Sequence, residues 1–313
     1  MRKNIRKTIP ALLLCLGVLF VPLGILAGEE EEDYLYVENE WNFVENSMDV
    51  SDGIPEDAEG RLLAIKEAGK LVVATEPYFA PQEFIDPSLS GQEQYVGADM
   101  ELARLIAERM GVELEIVPME FTKVLSAVSE GEVDLAISAL AFTPSRAQMM
   151  ELSKGYYYTA GEDTNSLLIR ETDKNRIKSI NDLSGLRLIA QRGSLQESLG
   201  ADNIQHYGEF LRVSTIQEVY SAVENATSDA AIVDIESARS YIDSTPGCGL
   251  MLVPEITFSM EEQYEGDRVA ADKGEIMLIC YVNGVIDEVL ESGKYQEWYD
   301  EYGEHAKELG LEE

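Results

Sequence analysis

Asp134-Leu135-Ala136-Ile137-Ser138-Ala139-Leu140-Ala141-Phe142-Thr143-Pro144-Ser145-Arg146 is the stretch on which the reading of this chain turns. Asp134 to Ser138 forms a short apolar run of the kind that builds a buried strand, and Pro144 marks the loop after it. The loop ends in Arg146, whose planar guanidinium can grip a carboxylate through two parallel hydrogen bonds. Working outward, Leu71 to Ala74 reads as another buried strand. Leu102, Leu105, Ile106 and Met110 form a helical stripe over Asp99 to Met110, stopped by Gly111. A strand over Val112 to Val117 and a helix over Thr122 to Ser129 follow. Downstream, strands are expected at Ser166 to Ile169, Leu186 to Ala190 and Ala230 to Val233. Helices are expected at Ile180 to Leu183, Leu195 to Leu199, Thr215 to Glu224 and Ile235 to Tyr241, with a helical tail from Gly284 to Leu309 anchored by Tyr295, Trp298 and Tyr299. Short apolar runs alternating with helical patterns indicate the α/β class, and there is no internal repeat.

The chain has 313 residues, enough for two folded units of roughly 150 residues each. Hydrophobic residues make up 45% and charged residues 27%, ordinary values for a chain with a real core. Against 24 Lys plus Arg stand 59 Asp plus Glu, a formal net charge of −35 that repels phosphate backbones and makes nucleic acid a poor partner. Three cysteines supply neither a disulfide framework nor a repeated metal-ligand spacing. The only histidines, His206 and His305, lie far apart, which argues against a histidine metal site or catalytic triad.

Arg2, Lys3, Arg6 and Lys7 precede an apolar run from Ile9 to Ala27, and the acidic block Glu29 to Asp33 follows. That layout is an export signal, with the acidic side delivered outward. Residues 1–27 act either as a cleaved signal peptide or as a retained membrane anchor. Ile25 is bulky for a cleavage site, and Cys15 lies inside the apolar run, unlike a lipoprotein acceptor. Without those four basic residues the exported part carries −39. Residues 28–60 form an acidic arm whose Tyr34, Tyr36, Trp41 and Phe43 suit packing onto the folded body. Of the cysteines left, Cys280 reads as a small buried hydrophobe and Cys248 as a turn residue, with a disulfide between them an open alternative.

Several segments, in order over roughly residues 61–302, carry a resemblance. They are Leu71 to Phe84, Tyr95 to Ala103 (YVGADMELA), Asp134 to Arg146, Lys178 to Gly185 with Gln191 to Ser194, Ser228 to Asp234, and Gly293 to Trp298. Together they resemble family 3 extracellular solute-binding proteins, the amino-acid receptors of ABC importers. The resemblance implies a two-lobed, type II periplasmic-binding fold with two hinge strands, no cofactor, and a monomer. Lobe 1 is expected over 61–163, lobe 2 over 164–268, and a return to lobe 1 with the C-terminal helix over 269–313. The crossings are expected near Gly161 to Leu168 and Gly266 to Ala271, with Arg268 to Ala271 as the return strand.

A free amino acid presents a carboxylate and an ammonium on one carbon, so a selective site needs a fixed guanidinium and a carboxylate. On the resemblance, Arg146 takes the first role and Asp234 the second, although an Asp at that point also suits a helix cap. Thr143 and the backbone of Ser138 and Ala139 assist at the ligand carboxylate. Gly193 and Ser194 offer backbone N–H groups. Phe79 and Phe121 sandwich the ligand. Glu76 faces its side chain, which favours a cationic or neutral polar amino acid, and it suits a turn hydrogen bond before Pro77 equally well. The chain departs from the family at Ala141, which lacks the usual hydroxyl, at Gln82, which replaces an aromatic, and at Gln191, all of which bear on ligand identity. The implied function is extracytoplasmic capture of an amino acid and delivery to an ABC permease. The same fold also resembles cyclohexadienyl dehydratases, and a ligand sensor acting on a membrane partner is a third option.

Overall fold

The computed structural model describes residues 43–158, 164–259 and 265–310. The expectations for residues 1–27 and for Tyr34, Tyr36 and Trp41 therefore lie outside the described residues. The chain enters through α1 (Gly60–Ala68) and β1 (Lys70–Thr75), then a small antiparallel sheet of β2 (Tyr78–Phe79), β3 (Glu83–Ile85) and β4 (Tyr95–Val96). Next come α2 (Ala98–Met110), β5 (Glu113–Pro118), α3 (Phe121–Ser129), β6 (Leu135–Ala141), α4 (Pro144–Met149) and β7 (Met150–Leu152). A second set follows: β8 (Asn165–Arg170), β9 (Arg187–Gln191), α5 (Leu195–Asn203), β10 (Glu209–Val213), α6 (Ile216–Glu224), β11 (Ala230–Asp234), α7 (Ile235–Ser244) and β12 (Leu250–Phe258). The chain closes with β13 (Asp267–Asp272), α8 (Ile276–Ser292) and α9 (Lys294–Glu308).

Two five-stranded sheets carry the fold, in the orders β5-β1-β6-β13-β7 and β10-β9-β11-β8-β12. In each sheet the first three strands are parallel, and an antiparallel strand next to them marks a crossing between sheets. Parallel strands covered by helices on both faces must be apolar throughout, and Leu71, Val73 and Ala74 of β1 are fully buried. One face of the first sheet packs on α1, α2 and α8, the other on α3, while the second sheet has its own core on each face.

The chain leaves the first sheet after Leu152, enters the second at Asn165, and returns between Phe258 and Asp267. Tyr157 pairs with Asp267 in an isolated antiparallel bridge, so the two crossings touch. Asp267 and Arg268 pair with Ala141 and Leu140 of β6, so they belong to the first sheet rather than to the expected second lobe ending at 268.

Other expectations need correction. Ile180–Leu183 is one 3₁₀ turn closed by a Ser179–Asp182 capping box, too short to propagate as a helix. The apolar run at Ile276 opens the C-terminal helical region ahead of Gly284, and Gly293, at φ 71°, breaks that region in two. Cys248 and Cys280 are both free thiols, Cys280 being buried in the core of α8. The acidic arm packs onto the body over its described part: Val44, Met48 and Val50 join the first core, and Phe43 stacks on Arg268 at 3.9 Å.

Candidate functional site

The C-terminal ends of β1, β6, β9 and β11 meet the β13 crossing around one cleft of about 1110 Å³, its open mouth included. Clefts at carboxyl ends of parallel strands are where this architecture collects polar groups, because the loops there are free of the sheet's own pairing.

Arg146 lies in the cleft wall and is only 3% exposed. Its Nη1 donates to the Ala141 carbonyl at 2.5 Å, and its Nη2 crosses to the second lobe, donating to the Gly193 carbonyl at 3.1 Å. The guanidinium carbon lies 5.3 Å from the centre of the Phe121 ring. Nε has no partner among the described residues. Burial lowers the guanidinium pKa to about 10, which leaves it charged at neutral pH. Thr143 is not in the wall. It caps α4, its Oγ1 accepting the Arg146 N–H at 3.1 Å, and so fixes the turn that aims Arg146.

Glu76 follows β1 and is 5% exposed. Its N–H donates to Ser138 Oγ at 3.0 Å, and its carboxylate oxygens accept from Gln191 Nε2 at 3.0 and 2.8 Å across the two lobes. Burial pushes its pKa up to about 7, against the opposing effect of the Gln191 hydrogen bond. Phe79, on β2, and Phe121, at the start of α3, also line the cleft.

Below this floor lies a network that the sequence did not disclose. Ser138 Oγ donates to Glu83 Oε1 at 2.9 Å. Asp99, in the first turn of α2, accepts from Tyr295 at 2.5 Å, Tyr156 at 3.0 Å and the Ala139 N–H at 2.8 Å. That last bond holds Ala139 at φ 45°, an uncommon conformation for a residue with a Cβ. It also commits an N–H that was expected to assist at a ligand carboxylate. Burial raises both acids, and Asp99 pushes Glu83 further up.

In the second lobe, Ser194 lines the cleft and caps α5, its Oγ accepting the Glu197 N–H at 3.1 Å. The Gly193 N–H donates to Glu197 Oε2 at 2.7 Å, and the Ser194 N–H donates to the Gln191 carbonyl at 3.3 Å. The N–H groups expected to receive an anion are thus spent on the turn, and Gly193 acts through its carbonyl on Arg146. Asp234 combines its two readings: Oδ1 caps α7 by accepting from Ser237 N and Oγ, both at 2.8 Å, while the residue lines the cleft. Burial raises its pKa.

Sequence reasoning missed Asp267, Glu236 and Tyr157, which also line the cleft. Among the described residues, the ionisable acids and bases of the wall are Arg146 against Glu76, Glu83, Asp234, Glu236, Glu265 and Asp267. Glu236 sits beside Asp234 at the start of α7, a neighbour that could have flagged it. Nothing local marks the others, because the crossings bring them in.

The pattern shared by bacterial extracellular solute-binding proteins, family 3, matches residues 71–305. The chain is 29% identical over 187 residues to the arginine-binding extracellular protein ArtP of Bacillus subtilis (strain 168), covering 59% of this chain and 69% of that one. An amino acid ABC transporter substrate-binding protein of Streptococcus pneumoniae, solved bound to L-arginine, superposes with a TM-score of 0.69 at 31% identity, covering 80% of this chain and 100% of that one. An ancestral amino-acid-binding protein described as a precursor of cyclohexadienyl dehydratase superposes at 0.65 and 23% identity, covering 78% of this chain and 99% of that one, a likeness of fold alone. Two lobes, two touching crossings and a cleft built on the motif that ends in Arg146 agree with that match, and the chain belongs to the bacterial extracellular solute-binding proteins of family 3.

Proposed function

We propose that the protein captures a free amino acid with a cationic side chain, arginine first among them, outside the cytoplasm and presents it to an ABC permease. The observation that carries this reading is the charge of the cleft wall, in which one buried arginine faces six acids. Arg146, with its Nε unpartnered, takes the ligand carboxylate, and Asp234 takes the ammonium. Phe79 and Phe121 flank the aliphatic stem, and Glu76, oriented by Gln191, meets the side-chain cation. A second ligand carboxylate would face like charge in a desolvated site, which disfavours glutamate and aspartate by several kcal/mol. Arginine is the named ligand of several relatives, which supports the same class. A dehydratase reading has only a likeness of fold behind it.

Calorimetric titration with arginine, glutamine and glutamate tests the reading. Arginine should bind with a Kd near the micromolar range, about −8 kcal/mol, glutamine more weakly, and glutamate weakest. Arg146→Ala should weaken arginine binding by about 2–5 kcal/mol and, because it also removes the bonds to the Ala141 and Gly193 carbonyls, lower the melting temperature without ligand. Glutamate binding ten times tighter than arginine would overturn the charge argument. Residues 1–27 supply the export step, and intact-mass analysis of the protein from fractionated cells should find it outside the cytosol, cleaved or anchored.

A further inference from the structure

Four of the six acids of the cleft wall accept side-chain hydrogen bonds, and among the described residues Glu265 and Asp267 accept none. Glu76 is held by Gln191, Glu83 by Ser138, and Asp234 gives one oxygen to Ser237. Asp267 is fixed by its main chain alone. Its N–H donates to the Tyr157 carbonyl at 2.9 Å, its carbonyl accepts from the Tyr156 N–H at 2.9 Å, and it pairs in register with Ala141 of β6. Gly266, at φ 90°, sets the turn before it, and a Cβ there would lie 2.8 Å from the Tyr158 ring. The Asp267 side chain is half-buried in the cleft wall, and among the described residues its carboxylate accepts no hydrogen bond and forms no ion pair. Burial and the nearby charges of Asp99 and Asp234 hold its pKa well above the usual range, against the pull of Arg146 and Arg268. A half-buried carboxylate beside like charges, with a rigid backbone and no partner, is arranged for a cation from outside the chain.

We propose that Asp267 and Asp234 together hold the α-ammonium of the bound amino acid, so that the site requires a free primary ammonium. The inference rests on the amino-acid reading above. An ammonium has three N–H donors and can satisfy both carboxylates at once. Asp234 ends a strand of the second sheet, and Asp267 opens a strand of the first. A shared ammonium therefore ties one lobe to the other beside the crossings, which makes lobe closure depend on the ligand's α-amino group.

The test compares arginine with 5-guanidinopentanoate, its analogue lacking the α-amino group, on the full chain and on Asp267→Asn. The wild type should favour arginine by at least a hundredfold. Asp267→Asn should lose about thirtyfold for arginine and hold or improve its affinity for the analogue, which no longer meets an uncompensated carboxylate. Its melting temperature without ligand should match or exceed that of the wild type, and Asp267→Ser should repeat the pattern. Equal arginine affinity in wild type and Asp267→Asn would overturn the proposal and leave the amino-acid reading standing. Equal losses for both ligands would assign Asp267 a purely structural place in the crossing and overturn it too. Failure of the wild type to bind arginine would remove the underlying reading, and this proposal with it.

Discussion

Glu76 is the residue whose titration the site makes visible. Its carboxyl moves from an ordinary 4.5 to about 7 because burial costs the ionised form more than the Gln191 hydrogen bond returns. The folded protein therefore holds a proton between pH 4.5 and 7 that the unfolded chain has released. The resulting stabilisation is present below pH 4.5 and is lost as pH rises through 7, by roughly 3 kcal/mol in total. Glu76→Gln should melt higher relative to the wild type at pH 8 than at pH 5, measured without ligand. Arginine reverses the preference, since a cation favours the ionised carboxyl, so wild-type affinity should rise between pH 5 and 8 with release of a proton. The substitution should flatten part of that rise, leaving the share due to Asp234 and Asp267, whose pKa values are also raised. A pH profile identical in wild type and Glu76→Gln would show that Glu76 does not meet the ligand cation.

At the scale of elements, α8 is the post to which the arm is tied. Cys280, Asn283 and Gly284 lie on one face of the helix, three and four residues apart. The Cys280 carbonyl accepts the Met48 N–H at 2.9 Å, and Asn283 Nδ2 donates to the Val44 and Asn46 carbonyls, each at 2.8 Å. Gly284 lets the two backbones meet, since a Cβ there would lie 2.1 Å from the Met48 carbonyl oxygen. On an open helix face, Gly→Ala adds about 1 kcal/mol of stability. Here Gly284→Ala should instead destabilise by about 1–3 kcal/mol, the usual cost of overpacking, and make residues 43–58 sensitive to limited proteolysis. A melting temperature at or above the wild type would mean that the arm does not need this contact.

Across the whole molecule, several hydrogen bonds join the two lobes. Glu76 and Arg146 reach Gln191 and Gly193 inside the cleft, and Tyr299 of α9 donates to Glu236 of α7 at 2.9 Å beside it. The Tyr299 ring also stacks on Tyr157 at 4.5 Å, so the C-terminal helix braces the first crossing and the second lobe together. Removing the hydroxyl in Tyr299→Phe keeps the stack and breaks the latch. An exposed bond of this kind is worth about 1 kcal/mol, so the variant should populate an open form and bind every ligand about fivefold more weakly. X-ray scattering should show a larger radius of gyration without ligand, returning to the wild-type value at saturating arginine. A change in the ranking of amino acids, rather than a uniform loss, would place Tyr299 in ligand contact instead.

The order of strands and helices was legible from the sequence because it is encoded locally. Periods of two and 3.6, glycine stops and capping residues act within a few positions, and Leu71 to Ala74, Asp99 to Met110 and Ala230 to Val233 fold as their own patterns dictate. The same locality made Arg146 stand out, since its loop motif lies within thirteen consecutive residues, 134–146. Asp234 was readable both as a helix cap and as a cleft acid, and it serves as the cap while lining the cleft. Tertiary structure alone decided which polar groups were occupied by distant partners. Thr143 and the Gly193 N–H are taken by caps within four residues, whereas the Ala139 N–H goes to Asp99, 40 positions away, because buried donors must find partners wherever packing puts them. Asp267 enters the cleft only because two chain crossings pair beside it, and the arm reaches α8 only because a glycine lets it approach. Such meetings join residues more than a hundred positions apart, where the packing of the assembled chain, and no local preference, selects the partner.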